Sequence, residues 1–556
     1  MMTQNFLILS VFLNIVLLSI IVVMIVTKKK CPTCKTCPTI PKCPASVVEN
    51  LDVDKLKELV YGCPKTDLHL HIESGTNPAL AFKLAQGNGI VPGTELWPWK
   101  TQDDLEEALK FNDLGSFLKI FYAVSAALQK KEDYIAQAEN VVDSLYKNNV
   151  VHAEIFFDPQ TFTGRDPLPT TQIPTTQVPT TTPEPKVGII SSSFKDVANG
   201  FNKGLDKGRL NKNKLSLRLI VSILRDWPVG ESDNSKIEDK DVDNIISRIL
   251  SKKEANGWMT IRQAVAYNMY IDKTIGTKEG QDLGMHKDWK IIGVGLDSNE
   301  TAYRPELFAD IYEYAHLNGL FKTAHCGEEG PAEFVWTGIQ DYDCGLSNMK
   351  GCSLTPANLL QKGYTHTQAP TKKGLGCARI DHGVHAGDDP ELCAVLATPQ
   401  STRGVMAAYG RPHHIPITCC PMSNKRLQVF PDPTLINLAP LLDYGIMCTV
   451  NTDDPMYTGD LNPKDDPIKW VNASWELLID NCMKNAKVFP MTFGNIKQLI
   501  INGFEASWLS EVEKQTYISQ VNEYFLNNKP SLYDNLKPKA EKPSSKLSIS
   551  RRRARF

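Results

Sequence analysis

The sequence has no excess of charge of either sign. Its 556 residues include 61 Lys and Arg against 63 Asp and Glu, a formal net charge of −2 at pH 7. Proteins that bind nucleic acid through surface charge carry a basic excess, so no nucleic-acid partner is expected. Fourteen cysteines are too few for a disulfide-based fold. With 42% hydrophobic and 22% charged residues, the composition excludes collagen-like, coiled-coil and wholly disordered chains.

Charge is locally absent near the start of the chain. Phe6–Val26 is a run of 21 residues without a charged side chain, and at 1.5 Å per residue such a helix spans a bilayer core of about 30 Å. No basic residue precedes the run and no small-residue cleavage site follows it, which favours an uncleaved anchor over a signal peptide. Lys28–Lys30 follow at once. The positive-inside rule then predicts a single-pass membrane protein, embedded in the lipid bilayer through residues 6–26, with its large domain in the cytosol.

Three further segments are predicted to lie outside any core. Residues 27–47 are a Cys/Pro-rich juxtamembrane linker, in which a stiff spacer with free or acylated thiols is favoured over a zinc site. Residues 167–186 contain a Pro-Thr-Thr repeat that is typical of an extended surface loop. Residues 531–556 form a basic tail that is expected to be disordered.

Between residues 48 and 530, short apolar runs alternate with longer helical patterns. Eight of the runs read as β-strands, and they begin at Lys65, Val150, Leu215, Ile291, Leu320, Ala378, Ile415 and Ile446. Ser116–Asn148 reads as one helical stretch. Eight strands alternating with helices is the count for a single (β/α)₈ barrel, or TIM barrel. We therefore predict one α/β barrel over 48–530, with long loop insertions at 167–186 and at about 332–376.

Histidine and acidic side chains lie toward the C-terminal ends of four of these runs. They are His69 and His71, then His325 and Glu328, then His382, and finally Asp453 and Asp454. His69 and His71 are two residues apart on one strand, so their side chains share a face. The C-terminal ends of the strands carry the chemistry in a (β/α)₈ barrel. Three histidines and one carboxylate there make a plausible catalytic zinc site, and Glu328 is placed to move protons.

Five ordered motifs carry a family resemblance. They read HLHIE from His69, HCGEEGP from His325, RIDHG from Arg379, CPMSN from Cys420 and NTDDP from Asn451. Together they resemble the adenosine/adenine deaminase family, over roughly residues 63–457. The resemblance implies a zinc-dependent barrel hydrolase with one Zn²⁺ per chain. Such an enzyme replaces the 6-amino group of a purine by oxygen and releases ammonia.

The resemblance also implies roles for single residues. The zinc ligands of the family are matched by His69, His71, His325 and Asp453. Glu328 matches the acid that protonates the purine nitrogen N1. His382 matches the residue that orients the attacking water and helps to deprotonate it. Asp454 matches the carboxylate that binds the imidazole part of the purine.

Several stretches are more similar to the adenine-preferring branch of the family than to the adenosine-preferring one. Glu73 after HLHI and the sequence GLDSNE from Gly295 are examples. Asp297 and Ser298 stand where adenosine enzymes tend to have small residues. We expect Glu73, Asp297 and Ser298 to bind substrate, because larger polar groups would take the space of a ribose and hydrogen-bond the base. Free adenine is therefore favoured over adenosine.

Two departures from the family pattern leave alternatives open. The chain reads HIESGT where the family usually reads HIEGS, so Ser74 and Gly75 are exchanged. Cys326 replaces the usual alanine after His325, and its thiol would compete for zinc unless strand alternation turns it away. One alternative is a metallohydrolase of the wider amidohydrolase superfamily with another substrate. The other is a catalytically inactive, membrane-anchored scaffold that binds purine.

Overall fold

The computed structural model describes ten stretches of the chain. They are residues 53–111, 113–164, 191–212, 214–237, 242–340, 373–397, 415–429, 438–458, 470–484 and 493–533. The predicted anchor (6–26), linker (27–47) and Pro/Thr-rich insert (167–186) lie outside these stretches. Within them, no helix is both long enough and apolar enough to cross a membrane.

Every strand pairing in the ordered sheets of the described residues is parallel. The strands are β1 Lys65–His71, β2 Val150–Phe157, β3 Ser216–Leu224, β4 Ile291–Asp297, β5 Phe321–Lys322, β6 His325–Cys326, β7 Ile380–His382, β8 Ile417–Cys419 and β9 Cys448–Val450. They pair in the order β1-β2-β3-β4-β5 and β6-β7-β8-β9. Strands β5 and β6 are two pieces of one predicted run, so all eight predicted strand runs are confirmed.

The last strand returns to the first. The backbone N–H of Asp453, just after β9, donates to His69 O at 2.7 Å, and His71 N–H donates to Asp453 O at 3.0 Å. Between β5 and β6, Thr323 N–H donates to Val294 O at 3.0 Å, which keeps this interrupted run against β4. The result is the predicted α/β barrel, a closed ring of parallel strands.

Helices connect the strands and cover the ring. They are α1 Val53–Gly62, α2 Pro78–Gly87, α3 Gln102–Ala108, α4 Leu114–Ser125, α5 Lys131–Lys147, α6 Gln160–Thr163, α7 Phe194–Arg209, α8 Val242–Ser251, α9 Gly257–Thr274, α10 Lys278–Leu283, α11 Ala309–Leu317, α12 Ala332–Ile339, α13 Pro390–Ala397, α14 Pro421–Arg426, α15 Leu438–Asp443, α16 Pro455–Thr458, α17 Trp470–Lys484, α18 Phe493–Ala506 and α19 Glu511–Tyr533. Short 3₁₀ turns lie at Ile72–Gly75, Lys287–Trp289, Pro305–Phe308 and Val384–Asp388.

The structure corrects three boundaries. The stretch Ser116–Asn148 is not one helix but parts of α4 and α5, because the Asp133 carboxylate accepts the backbone N–H groups of the residues just before α5 and so caps a new helix start. The insert expected from about 332 begins with α12, whose apolar side chains are buried. The last helix runs to Tyr533, into the segment assigned to the tail.

A buried ion pair lies below the site, toward the N-terminal ends of the strands. Arg379, just before β7, donates to Glu154 of β2 at 2.6 Å, and neither side chain is exposed. The Arg379 guanidinium also lies 4.3 Å from the centre of the Trp508 ring. Burial tends to raise the pKa of Glu154, but Arg379 and a hydrogen bond from His152 outweigh it and bring that pKa to about 2. This pair ties two distant strands together.

Candidate active site

The alternation of β1 brings His69 and His71 to the same side of the barrel. Both are buried, with 0% and 4% of their surface exposed. His69 Nε2 lies 3.1 Å from His325 Nε2 and 3.3 Å from Asp453 Oδ1. His71 Nε2 lies 3.5 Å from the same aspartate oxygen. The four residues predicted as metal ligands therefore converge at the C-terminal ends of β1, β6 and β9.

His382, the predicted base, reaches this group from β7. Its Nε2 lies 3.7 Å from Asp453 Oδ2, and its Nδ1 lies 3.3 Å from Glu328 Oε1. His382, Asp453 and Ser298 have backbone φ angles of +57°, +63° and +70°. Among the described residues, these are three of five non-glycine residues with positive φ. Strained backbone of this kind concentrates at functional sites, and here it coincides with predicted site residues.

The donor set fits a zinc ion. Possible ligand atoms of His69, His325, His382 and Asp453 all lie within 4.8 Å of one another, and His71 forms a second such group with Asp453 and Asp454. A tetrahedral ion with Zn–N bonds of about 2.0–2.1 Å needs donors about 3.4 Å apart, and the atom pairs above span 3.1 to 3.7 Å. His382 Nε2 is buried without a hydrogen-bond partner, as expected of a nitrogen that serves an ion or its water. His382 thus lies as close to the group as the predicted ligand His71.

Two residues that the sequence analysis missed orient His69. Thr418 Oγ1 lies 3.0 Å from His69 Nδ1, and the Thr418 hydroxyl is 2.9 Å from Asp381 Oδ1. With Nδ1–H held by this oxygen, the tautomer that leaves Nε2 free for a metal is favoured. Asp381 directly precedes His382 in the RIDH motif, and this position provided a signal for a role at the site. Thr418 is 349 positions from His69 and had no local signal.

The Glu328 carboxyl is buried beside the histidines. Its Oε1 accepts a hydrogen bond from Asn424 Nδ2 at 3.1 Å. Burial, reinforced by the negative charge of Asp453, raises the pKa of Glu328 well above its usual range. The shift favours the protonated form of the carboxyl, which is the form that a general acid requires. Asn424 belongs to the CPMSN motif, but no role was predicted for it.

Four carboxylates lie beside His71 and form what we call the carboxylate cluster. Its members are Glu73, Asp158, Asp297 and Asp454. Burial raises the pKa of Glu73 to about 8 and that of Asp297 to about 7. Burial and neighbouring carboxylates raise the pKa of Asp158 and Asp454 well above the usual range. No lysine or arginine occurs among the described residues that line the adjoining cavity, although Arg225 lies close enough to Asp297 to offset part of the rise in its pKa.

Glu73 departs from its predicted place. Asp158, Asp297, Ser298 and Asp454 line the cavity, but Glu73 does not. Its Oε1 accepts the backbone N–H of Asp158 at 2.9 Å, so it supports Asp158 from behind. The reason is local, because β1 ends at His71 and a 3₁₀ turn follows, which breaks the alternation that would have aligned Glu73 with the histidines. Asp158, in the FFDPQ segment, takes the position at the cavity.

The opposite side of the cavity is apolar. Leu114, Phe117, Leu118 and Phe121 lie on one face of α4 and line it. Their spacing of three and four residues places them on one helical stripe. The Ser298 hydroxyl lies 3.4 Å from Tyr122 Oη on the same helix. A flat ring would thus meet hydrocarbon on one side and carboxyl groups on the other.

Neither departure from the family motif disturbs the site. Ser74 Oγ donates to His71 O at 2.7 Å, which fixes the end of β1. A Cβ on Gly75 would lie 2.4 Å from Gln137 O, so glycine is needed there for the close approach of α5. Cys326 packs against Gly338 of α12, where a Cβ would lie 3.1 Å from its sulfur. The thiol therefore faces the helical layer and does not compete for the metal position.

A parallel α/β barrel with histidines, an aspartate and a buried glutamic acid at the C-terminal ends of its strands is typical of the class of metal-dependent hydrolases. Within that class, the chain belongs to the adenosine deaminase family, whose profile matches residues 64–239, 230–345 and 371–524. The predicted family and the predicted class of enzyme, a deaminase, are confirmed.

Similar proteins agree with this assignment. An adenine deaminase from Geotalea uraniireducens is 31% identical over 462 residues, covering 83% of this chain and 91% of that protein. An adenine deaminase from Trichlorobacter lovleyi is 29% identical over 86% of this chain and 97% of that protein. The crystal structure of an adenine deaminase from Arthrobacter aurescens shares the fold, with a TM-score of 0.52, 24% identity and coverage of 84% of this chain and 100% of that one.

Proposed function

We propose that this protein is a zinc-dependent aminohydrolase that converts adenine and water to hypoxanthine and ammonia. The observation that carries the proposal is the buried pair of Glu328 and His382, 3.3 Å apart beside the histidine–aspartate group. An acid, a base and a set of metal ligands thus share one cavity. The reaction requires both proton donation to the ring and activation of a water molecule, so these groups are needed in one place.

One Zn²⁺ per chain would be held by His69, His71, His325 and Asp453. When bound, the ion would supply Lewis acidity that makes a water molecule acidic near neutral pH. Asp381 and Thr418 support this set by fixing the ring of His69. A zinc-containing amidohydrolase from Burkholderia with a TM-score of 0.53 and 20% identity shares the barrel fold, over 86% of this chain and 94% of that one.

The residues of the chain divide the proton transfers between them. Glu328, protonated, donates to N1 of the purine and makes C6 electrophilic, while Asn424 holds its carboxyl in place. Burial lowers the pKa of His382 to about 3, so its imidazole is neutral. Its Nε2, which has no hydrogen-bond partner, is open to the attacking water and passes one water proton on to the leaving amino group. The C6–N bond then breaks, and the amino group leaves as ammonia with the proton that His382 took from the water. The remaining proton on the C6 oxygen returns to Glu328 as the carbonyl of hypoxanthine forms. The apolar face of α4 excludes bulk water from this exchange.

The carboxyl groups of the cavity support free adenine over adenosine as the substrate. Asp158, Asp297 and Asp454 present carboxyl groups in the cavity. The free base offers a ring N–H in its imidazole part, whereas a nucleoside carries a ribose there and lacks that donor. A buried acceptor left without its donor costs about 1–3 kcal/mol, which penalises the nucleoside. The curated relatives quoted above are also named adenine deaminases.

We further propose that residues 6–26 anchor the enzyme in a bilayer as a single-pass helix, with the barrel in the cytosol. The support is the uncharged run of 21 residues and the three lysines that follow it. Full-length chain should sediment with membranes, and residues 48–556 should not. In sealed vesicles with the cytosolic side outward, added protease should digest the barrel, and protection of the barrel would reverse the orientation.

The catalytic proposal is tested with the full-length chain in zinc. Ammonia release from adenine and from adenosine is measured separately, with Glu328→Gln as the control. Turnover of adenine that is lost in Glu328→Gln supports the proposal, and faster turnover of adenosine overturns the choice of base. Zinc-dependent hydrolysis of a non-purine without deamination would indicate another amidohydrolase substrate. A folded protein that binds purine and turns over nothing would indicate the inactive scaffold.

A further inference from the structure

A buried carboxylate outside the predicted catalytic set holds the loop that carries Glu328. Glu300 lies three residues beyond β4 and is 2% exposed. Its Oε1 accepts the backbone N–H of Gly327. Its Oε2 accepts the N–H groups of Glu328, Glu329 and Gly330 at 2.9, 3.0 and 2.9 Å. Four successive amides thus converge on one side chain, an arrangement that binds an anion tightly.

The loop after β6 is closely fitted to this carboxylate. Gly327 has a φ of +80°, which side chains rarely tolerate, and a Cβ there would lie 2.5 Å from Val335 Cγ2. A Cβ on Gly330 would lie 2.8 Å from the carboxyl carbon of Glu300. Both glycines are therefore needed for the loop to wrap around Glu300. The conformation of the loop is defined by the four hydrogen bonds and by these contacts.

A cation reinforces the same junction from the other side. Arg225 donates one hydrogen bond to Tyr303 O at 3.0 Å and another to His325 O. The segment after β4 is thus joined both to the loop after β6 and to β6 itself. Glu300 binds the amide groups of the loop, and Arg225 binds the carbonyl of Tyr303 and that of His325 in β6. If the Glu300 carboxylate moved away, the four amides would lose their acceptor, but the hydrogen bonds from Arg225 to the two carbonyls would remain.

We propose that Glu300 is a positioning residue for the deamination reaction, which aims the Glu328 carboxyl at the substrate ring; this rests on the function proposed above. The backbone N–H of Glu328 is itself one of the four groups that Glu300 holds. From that fixed backbone, the Glu328 side chain reaches Asn424 at 3.1 Å and His382 at 3.3 Å. Glu300 does not line the cavity, so it acts through Glu328 and not on the substrate.

The test uses the full-length chain with zinc and compares Glu300→Gln with Glu300→Asp. Glutamine keeps the shape but turns an amide donor toward N–H donors, so the loop loses part of its anchorage. We expect kcat on adenine to fall about 10- to 100-fold, because displacing a reacting group by about 1 Å has an effect of this size. We expect KM to change less than about threefold, since the cavity wall is untouched. Aspartate keeps the charge with a shorter reach and should restore part of kcat.

A matched control separates positioning from general stability. Asp206 of α7 is also a buried carboxylate with several donors, among them Trp289 Nε1 at 3.0 Å and His286 Nε2 at 2.9 Å. Asp206→Asn should lower the Tm without changing kcat per zinc-bearing protein. If Glu300→Gln behaves in the same way, with a lower Tm and an unchanged kcat per zinc, the positioning role is overturned.

Hydrogen exchange supplies a readout that does not need activity. In the wild-type chain, the amides of residues 327–330 should exchange slowly, and Glu300→Gln should accelerate them selectively. Faster exchange together with a reduced kcat supports the proposal, whereas unchanged exchange overturns it. If the wild-type chain deaminates neither adenine nor adenosine, the proposed function fails. The exchange result then still decides whether Glu300 orders the loop of Glu328.

Discussion

Two groups of buried charges in one barrel behave in opposite ways. Toward the N-terminal ends of the strands, Glu154 is paired with Arg379, and its pKa lies at about 2. At the C-terminal ends, burial raises the pKa of Asp297 to about 7, and the pKa of Glu328 rises well above its usual range. A buried charge with a partner supports the fold, whereas buried acids gathered in a cavity are typical of a site that binds a ligand.

Stability and function are divided between the two ends of this barrel. The Glu154 pair fastens residues that are 225 positions apart in the chain and does not line the cavity. Its one link toward the site is Arg379 Nε, 4.0 Å from Asp381 Oδ1. The carboxylate cluster contributes no such fastening, because its members repel one another when ionised. Perturbing each end should therefore give separable effects. Changes at the C-terminal end should reduce catalysis, and changes at the N-terminal end should reduce stability.

The largest effect is expected at the C-terminal end. Glu328→Gln keeps the hydrogen bond with Asn424 possible but removes the proton that N1 must receive. We expect kcat on adenine to fall about 10³-fold, within the range for loss of a general acid, while the Tm is maintained or rises slightly. The kcat is measured by steady-state ammonia release, and the Tm is measured by thermal unfolding. Activity within tenfold of wild type would show that another group donates the proton.

The next effect is expected at the N-terminal end. Arg379→Met leaves the Glu154 carboxylate buried without its cation, which should lower the free energy of unfolding by about 3 kcal/mol or more. Urea denaturation measures this loss, and kcat per folded, zinc-bearing molecule should stay near that of wild type. The double variant Glu154→Gln/Arg379→Met should recover much of the stability. If it is no more stable than Arg379→Met, the loss comes from packing on Trp508 and not from the unpaired charge.

Removal of the metal should lower stability through the same position that serves catalysis, the metal site at Asp453. A ligand that binds only the folded state stabilises it by about 2.7 kcal/mol when present at 100 times its dissociation constant. We expect chelation to lower the free energy of unfolding of the wild-type chain by an amount of this order. In Asp453→Asn, which removes the carboxylate facing His69 and His71, chelation should have little effect. An equal effect in both proteins would place the stabilising metal elsewhere.

The sequence predicts those parts of the site that depend on local patterns. Alternation along β1 places His69 and His71 on one face, and the eight apolar runs recover the strands of the ring. Residues whose role comes from distant contacts were not found, such as Thr418 beside His69 and Asn424 beside Glu328. Glu73 lies behind Asp158 and not on the cavity wall, because the 3₁₀ turn after β1 interrupts the period of two. Its role in substrate binding stays a prediction. Strand alternation alone shows neither where the strand ends nor which distant residues contact it.

The smallest effect is expected from the change of a single carboxylate at the C-terminal end. Asp297→Asn removes one buried acid from the carboxylate cluster, and Asp297 Oδ2 lies 3.6 Å from His71 Nδ1. At pH 8, above the pKa of about 7 for this group, the wild-type side chain bears a buried charge that Arg225 offsets only in part. A raised pKa means that ionisation destabilises the folded state, by about 1.4 kcal/mol for each pKa unit. Asparagine should therefore stabilise the protein at pH 8 by about 1 kcal/mol or more. The preference for adenine over adenosine should fall at the same time, because an acceptor for the ring N–H is weakened.

Urea denaturation at pH 8 and the ratio of kcat/KM for the two purines measure these changes. Lower stability with unchanged preference would mean that Asp297 belongs, like Glu154, to the charges that hold the barrel together.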